Sequence, residues 1–482
     1  MFWPTGSFRY ERHTPETTLL YQLVERHWPE FKAMLSAQGK QLPGYVTREF
    51  DDYLKCGRLE HGFLRVRCDN CHHEKLVAFS CKRRGFCPSC GARRMVDSAA
   101  HLVDEVLPKR PIRQWVLSVP YPLRYLFATN PKVMSQVLTI VHRVISTFLI
   151  KLARMTVKSG AQSGAVTLIQ RFGSALNLNP HFHMLYLNGV YDAAGYFWPV
   201  KPPTCDDLDV IAHTIAIRIS RFLEKAGYLV RDAESEYLDL MQDEEDAMGA
   251  IVGASITYRL AFGSNAGRKA LRLQTVPVKT EPRKGSDLVT KQAGFSLHDG
   301  RSDASVACKS HQRKKLERLC RYITRPAIAE RRLSLASNGN VVIALKTPYD
   351  DGTTHVVLNP MEFMGRLAAL VPRPRVNLTR FHGVFSPNSK LREHVVPQKS
   401  VEEPENPKPK AYSMTWAQRL KRVFSIDIEK CEKCGGPVRI IASIEDPDVI
   451  KKILKHLGLD QPEDPQNRSP PKDLTDQQTT LF

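Results

Sequence analysis

The sequence predicts an α+β protein in which an antiparallel sheet is packed by helices and preceded by a helical unit and a cysteine-rich ribbon. Three observations carry this. Apolar residues recur at helical spacing within 14–54 and again after Pro131. Runs rich in β-branched and aromatic residues, bounded by Pro or Gly, mark strands at Arg113–Val119, Ala165–Phe172 and His181–Leu187. Six of the eleven cysteines crowd between Cys56 and Cys90. A chain of 482 residues has ample length for a core, with a prior of about three domains of roughly 150 residues each.

In chain order, residues 1–57 read as a helical unit. Thr14-Pro15 offers an N-cap and a first-turn proline, Leu19, Leu20, Leu23 and Val24 form one face, and Cys56-Gly57 closes the unit. A ribbon occupies 58–100, and a core with an acidic helical insert near 206–246 occupies 101–340. Val133, Val137, Val141, Val144, Ile145, Phe148 and Leu152 give a long amphipathic helix. Asn188-Gly189 signals a hairpin with Val190 onward as the return strand, and Ala254–Phe262 reads as a further strand. Lys309–Ile323 has helical spacing and stops before Pro326. Residues 341–396 form a basic extension of short strands and one helix near Pro360–Leu370. A proline-rich linker (397–411), a small module (412–457, with Cys431-x-x-Cys434) and a disordered tail (458–482) complete the chain.

Charge narrows the function. Seventy Lys+Arg against fifty Asp+Glu leave +20, which favours a polyanionic partner, nucleic acid ahead of anionic membrane. Residues 206–246 alone carry −8, so the rest of the chain carries +28 and nucleic acid should avoid that insert. Val133–Ala153 is broken by Gln136, His142, Arg143 and Lys151, and Met1–Arg12 has no signal-peptide character, so membrane and secreted classes are disfavoured. Eleven cysteines are too sparse for a disulfide scaffold, and their clustering points to metal in a reducing, cytoplasmic setting.

Three constellations carry chemistry. Cys68-x-x-Cys71 and Cys87-x-x-Cys90 have zinc-ribbon spacing and predict one structural Zn²⁺. Cys81 and Cys56 are alternative ligands, with His72 and His73 behind them. Lys75–Val96 contains Lys75, Lys82, Arg83, Arg84, Arg93 and Arg94 and no acid, which suits DNA backbone contact. Cys431-x-x-Cys434-Gly-Gly supplies only two thiolates; it reads as a structural turn or incomplete site, unless another residue or chain completes it. The second constellation is His181-Phe182-His183, whose imidazoles share one strand face and can hold a divalent ion, with Gln170 on the neighbouring strand as third ligand. Alone, the pair also fits ordinary core or surface histidines. The third is Tyr322, flanked by Arg318, Arg321, Arg325, Arg331 and Arg332, able to stack on a base or attack a phosphate. Alone, it reads better as a structural tyrosine.

Together these stretches resemble the rolling-circle His-hydrophobe-His (HUH) transposases of the IS91 family and their common-region relatives. The match runs through CDNCHHEKLVAFSCKRRGFCPSCGARRM, RQWVLSVPYPLRYLFA, IQRFGSALNLNPHFHML, LERLCRYITRPAIAERRLSL, KTPYDDGTTHVV and the Trp416–Pro447 segment, over roughly residues 50–455. The resemblance implies an HUH endonuclease core and a metal-dependent strand transferase acting on single-stranded DNA at element ends and target sites in the bacterial cytoplasm. It implies Mg²⁺ or Mn²⁺ on His181, His183 and Gln170, and Tyr322 as the nucleophile forming a 5′-phosphotyrosine. Many relatives carry His where Gln170 and Asn179 stand. Several carry a second tyrosine four residues away, where this chain has Arg318, so it resembles the single-tyrosine branch. Arg83, Arg84, Arg93, Arg94, Arg321, Arg325 and Arg380 are the DNA-contact candidates, and a homo-oligomer could supply a second nucleophile. A plasmid relaxase or replication initiator would share the tyrosine chemistry, although no Walker motif is present. A non-enzymatic zinc-ribbon regulator would leave the HxH strand and the Arg-Tyr helix unexplained.

Overall fold

The N-terminal apolar periodicity folds as two helices, α1 (Leu19–Ala37) and α2 (Gly44–Lys55). In the computed structural model, the described residues are 14–231, 236–238, 247–276, 289–292, 294–298, 307–397 and 429–459. Thr14-Pro15 opens a short 3-10 turn, and Thr18 caps α1 instead, its side chain accepting the Tyr21 amide hydrogen bond. Cys56 ends α2 as expected. The ribbon begins as a hairpin of β1 (Phe63–Cys68) and β2 (Glu74–Ala78), followed by α3 (Pro88–His101).

The next elements build the main sheet and its cover. They are β3 (Ile112–Ser118), α4 (Tyr121–Thr129), α5 (Pro131–Leu152), β4 (Gly164–Phe172), β5 (Leu178–Leu187), the short pair β6 (Gly189–Tyr191) and β7 (Phe197–Pro199), and α6 (Cys205–Lys225). Asn130 caps α5 through the Val133 amide with Pro131 in the first turn. A reciprocal Thr204–Asp207 capping box starts α6. Then come β8 (Leu229–Arg231), β9 (Glu236–Leu238), α7 (Ala247–Thr257), β10 (Leu271–Gln274), β11 (Val289–Gln292), β12 (Phe295–His298), β13 (Ala307–Cys308) and α8 (Arg313–Thr324). The remainder comprises β14 (Leu333–Leu335), β15 (Val341–Ala344), β16 (Thr353–Leu358), α9 (Pro360–Leu370), β17 (Thr379–Gly383), α10 (Arg392–Val395), β18 (Val438–Ile444) and a C-terminal helix, Pro447–His456.

The main sheet is antiparallel, ordered β11-β12-β3-β5-β4-β17, with β13 also on β3. Strand alternation sorts its side chains between two cores. Trp115, Leu117, Phe182, Met184 and Tyr186 pack with α5 and α6 on one face. On the other, Val166, Leu168, Leu185 and Leu187 pack with the end of α3 and with Leu316, Cys320 and Ile323 of α8. A further core joins α1, α2, α7 and α9 to the sheet β10-β16-β15-β14.

Several expectations are corrected. Gly189 does not begin a return strand on β5, because β3 and β4 already occupy both edges of β5; β6 pairs with β7. Ala254–Phe262 is not a strand. Met248, Ile251, Val252, Ser255 and Ile256 are the buried side of helix α7, whose period begins before that window. Within the described part of the acidic segment, Ile211, Ile215, Ile219 and Leu223 of α6 belong to the sheet's core. The basic extension supplies the edge strand β17, paired with β4. α5 is long and apolar enough to cross a membrane, yet its apolar face is buried in this core. The linker, apart from residue 397, and the tail from 460 lie outside the described residues.

Candidate active site and cysteine clusters

The register of β5 sets the site. His181 pairs with Gln170 of β4 and Ser118 of β3, and His183 pairs with Leu168 and Val116. With Phe182 turned into the α5 core, both imidazoles lie on the α8 face, their ring centroids 4.9 Å apart. Nδ1 of His181 lies 2.7 Å from the Asn179 carbonyl oxygen and donates to it, which leaves Nε2 as the lone-pair nitrogen. Nδ1 of His183 lies 2.6 Å from the Gln114 amide nitrogen, on the adjacent strand. Gln114 is 4% exposed, the one amide in a strand that also carries Arg113 and Ser118, and sequence reasoning passed over it. An amide that donates to Nδ1 sets the imidazole proton on Nε2; an amide turned half over would accept Nδ1–H and free Nε2 for a metal.

Gln170 is buried and donates through Nε2 to the carbonyl of Ile323 at 2.8 Å. Its amide oxygen stays available. The bond ties the histidine face to α8 at the residue after Tyr322. Tyr322 itself is 45% exposed. The Arg325 guanidinium lies 4.3 Å from its ring centroid and Lys346 Nζ 4.2 Å. Partial burial pushes the phenol pKa up, but Arg325 and Lys346 together outweigh this, and it falls below the ordinary value of 10.0. Arg325 also lies over Phe172, so the cation is held between two rings. Lys346 opens the KTPYDD segment, for which the sequence offered no role. Arg318, four residues before Tyr322, and Pro326, four after, offer no second phenol on this face.

Beside α8 lies a cavity of about 460 Å³, lined by Arg83, Arg84, Arg94, Arg171 and Arg325 together with Gln170, and among its described lining residues there is no carboxylate. Arg83 is committed to Asp52, and Arg84 and Arg94 donate to backbone carbonyls, so the cationic wall is braced rather than loose. Arg321 is half-buried on α8 and Arg93 half-buried on α3. Arg380 is elsewhere: it reaches Ser135 of α5, across the sheet from Tyr322. Its neighbour His382 stacks on His142, and burial lowers these imidazoles to about 4 and about 3 respectively.

The cysteines regroup. Cys68, Cys71, Cys87 and Cys90 do not form one cluster. Cys68 and Cys71 sit at the tip of the β1–β2 hairpin, whereas Cys81 follows its base. The ladder from Phe63↔Ala78 to Arg67↔Glu74 separates tip and base by roughly 13 Å at about 3.3 Å per residue, beyond the reach of one ion. Cys87 and Cys90, at the start of α3, instead join Cys56 and Cys81, so the two alternatives are members of one quartet. Sulfur separations there are 3.7 Å (Cys56–Cys87), 3.8 Å (Cys56–Cys90) and 3.4 Å (Cys81–Cys90), against about 3.8 Å for a tetrahedral edge at the usual zinc–sulfur distance. The quartet anchors the N-terminus of α3, and α3 packs on α8. A Cβ added at Gly91 would lie 3.0 Å from Pro326, so a side chain there would push α3 against the turn that follows α8. Cys68 and Cys71 meet Cys431 and Cys434 instead, so the C-terminal pair is neither an isolated turn nor incomplete.

Comparison with known proteins agrees with this layout. Residues 164–392 match a family model described as "Putative transposase", and residues 23–119 match a transposase zinc-binding domain. The chain is 24% identical over 402 residues to the transposase for insertion sequence element IS801 of Pseudomonas savastanoi pv. phaseolicola, covering 81% of this chain and 82% of that protein. No solved structure matches it significantly. The two domain models fall in the order of the cysteine quartet and the HxH sheet, and the IS801 relative spans both: the chain is similar to transposases of the IS91 type.

Proposed function

We propose that this transposase nicks and rejoins single-stranded DNA at the ends of its insertion element through a 5′-phosphotyrosine on Tyr322. The observation that supports this best is the Gln170–Ile323 hydrogen bond, which holds the Tyr322 helix on the same sheet face as His181 and His183. The donor set suits a divalent ion: an imidazole Nε2 from His181, the His183 imidazole under the control of Gln114, and the free amide oxygen of Gln170. Mg²⁺ or Mn²⁺ bound there would neutralise charge on the scissile phosphate.

The protein's own groups do the rest. Tyr322 Oη forms a bond to phosphorus, the bond from phosphorus to the 3′ oxygen breaks, and the leaving oxygen takes a proton to become a 3′-OH. Arg325 and Lys346 favour the phenolate and face the charge that develops on the phosphoryl oxygens. The arginine-lined cavity holds the strand by its backbone. Attack of a 3′-OH on the phosphotyrosine reverses the chemistry and joins ends. Having one nucleophile, a chain must discharge the first covalent end before a second cut or borrow a second subunit.

The test is cleavage of single-stranded oligonucleotides carrying the element ends, with and without Mg²⁺ or Mn²⁺. Tyr322→Phe and the His181→Ala/His183→Ala double variant should bind DNA near normally and fail to cut. Cleavage in EDTA at the wild-type rate would overturn the metal assignment.

A further inference from the structure

We propose that Cys68, Cys71, Cys431 and Cys434 hold a second zinc ion, which clasps the C-terminal segment onto the ribbon hairpin. The sulfurs of all four lie within 4.8 Å of one another. Cys68–Cys434 and Cys71–Cys431 stand 3.4 and 3.5 Å apart, too long for disulfides and close to the tetrahedral edge of about 3.8 Å. Each side contributes a Cys-x-x-Cys turn. The C-terminal turn is built as a metal knuckle: the Lys433 amide donates to Cys431 Sγ and the Gly436 amide to Cys434 Sγ, both at 3.4 Å. Such N–H···S bonds stabilise thiolates and fix their direction. Gly435 has a left-handed φ of +72°, and a Cβ at Gly436 would strike the Asn70 side chain at 2.7 Å, so the two glycines let the knuckles close on each other.

What surrounds the quartet indicates why a metal is needed. β18 extends the hairpin into a three-stranded sheet, with Cys68 opposite Val438, and the Asp69 amide donates to the Pro437 carbonyl at 2.9 Å. Arg439 pairs with Asp69, and His73 faces Glu432. Apolar burial is slight. Ile440 of β18 is 63% exposed, and the satellite core consists of Leu59 and Phe63 against Ile450 and Leu454 of the C-terminal helix. Four buried apolar side chains hold the C-terminal helix to the hairpin, a small core of the kind that a structural metal commonly supplements. The proposed ion also fixes the far end of the chain to a hairpin whose base carries the first quartet. The two sites differ in access: Cys71 and Cys434 are exposed, whereas three of the four cysteines of the first quartet are buried.

Metal content of the full-length chain, with zinc and then with cobalt(II) as a spectroscopic probe, tests this independently of nuclease activity. In the His181→Ala/His183→Ala background, which removes the proposed catalytic ion from the count, the chain should hold about two ions, and adding Cys431→Ser/Cys434→Ser should leave about one, with half of the sulfur-to-cobalt charge-transfer absorption lost. The exposed site should release its ion to a chelator first. A second variant, Cys71→His, should keep two ions and shift the cobalt spectrum. One ion per chain in the His181→Ala/His183→Ala background would overturn the proposal whether or not any cysteine variant folds, and so would two ions retained there after the double serine change.

Discussion

Replacing Lys346 with Met isolates the electrostatics of the proposed nucleophile. The substitution keeps an unbranched side chain of similar length and removes the cation 4.2 Å from the Tyr322 ring. Two unit charges about 4 Å apart interact by about 1 kcal/mol in bulk water. Tyr322 is 45% exposed, so a solvent-screened value near the upper end of exposed ion pairs, about 0.5–1 kcal/mol, is appropriate. Losing that attraction raises the phenol pKa, and at about 1.4 kcal/mol per tenfold it lowers the phenolate population by roughly 2- to 5-fold. Arg325 remains, so the phenol stays partly stabilised as phenolate. The group loses its proton to react, so the rate of covalent attachment climbs with pH until the phenol is ionised. The Lys346→Met profile should therefore lie to the alkaline side, about 3-fold slower at neutral pH and converging with wild type at high pH. Single-turnover cleavage from pH 6 to about 10, with DNA affinity measured in parallel, reads this directly. A uniform loss at every pH would assign Lys346 to DNA binding, and an unchanged profile would refute its coupling to Tyr322.

Gln114→Leu should leave DNA binding intact and cut cleavage by about 10- to 100-fold, because His183 loses the neighbour that orients it, while Gln114→Glu should retain metal-supported cleavage; full activity in Gln114→Leu would remove the orienting role. Cys87→Ser should release about one zinc per chain and lower Tm, as α3 loses its anchor beside α8; unchanged metal and Tm would move the ligand role to other members of that cluster. The His142–His382 stack gives a pH signature in stability. Burial holds both imidazoles below the ordinary 6.5, so the unfolded chain takes up protons first, and stability present above that pH drains away as pH falls toward about 4. Tm measured across this range should fall less steeply in His142→Leu than in wild type, and parallel curves would show that the stack does not titrate as described.

Local patterns made much of this fold legible. The Pro- and Gly-bounded runs located β3, β4 and β5, the 3.6-residue period located α5 and α8, and alternation put His181 and His183 on one face. What failed was pairing at a distance. Cys-x-x-Cys spacing identifies which cysteines act in pairs but not which pairs combine, and Cys431 completes a cluster begun at Cys68 on the far side of the main sheet's entire sequence. Lys346 reaches Tyr322 from a loop, where no periodicity points. Gln114 did leave a signal, an amide within a strand that is buried along nearly its whole length, which calls for a polar partner. The Asn-Gly turn misled because a hairpin signal says nothing about whether the strand before it has a free edge. Arg380, chosen for its basic neighbourhood, lies on the opposite sheet face, a distinction set by the register of β17 on β4.

The central claim is that one tyrosine on α8 makes the covalent bond to DNA. Incubating the full-length protein and its divalent metal with a single-stranded end substrate, then digesting and mapping by mass spectrometry, tests it most directly. The account predicts one nucleotide adduct per chain, on the peptide containing Tyr322, absent from Tyr322→Phe and absent in EDTA. An adduct on any other tyrosine, or two adducts on one chain, would contradict it.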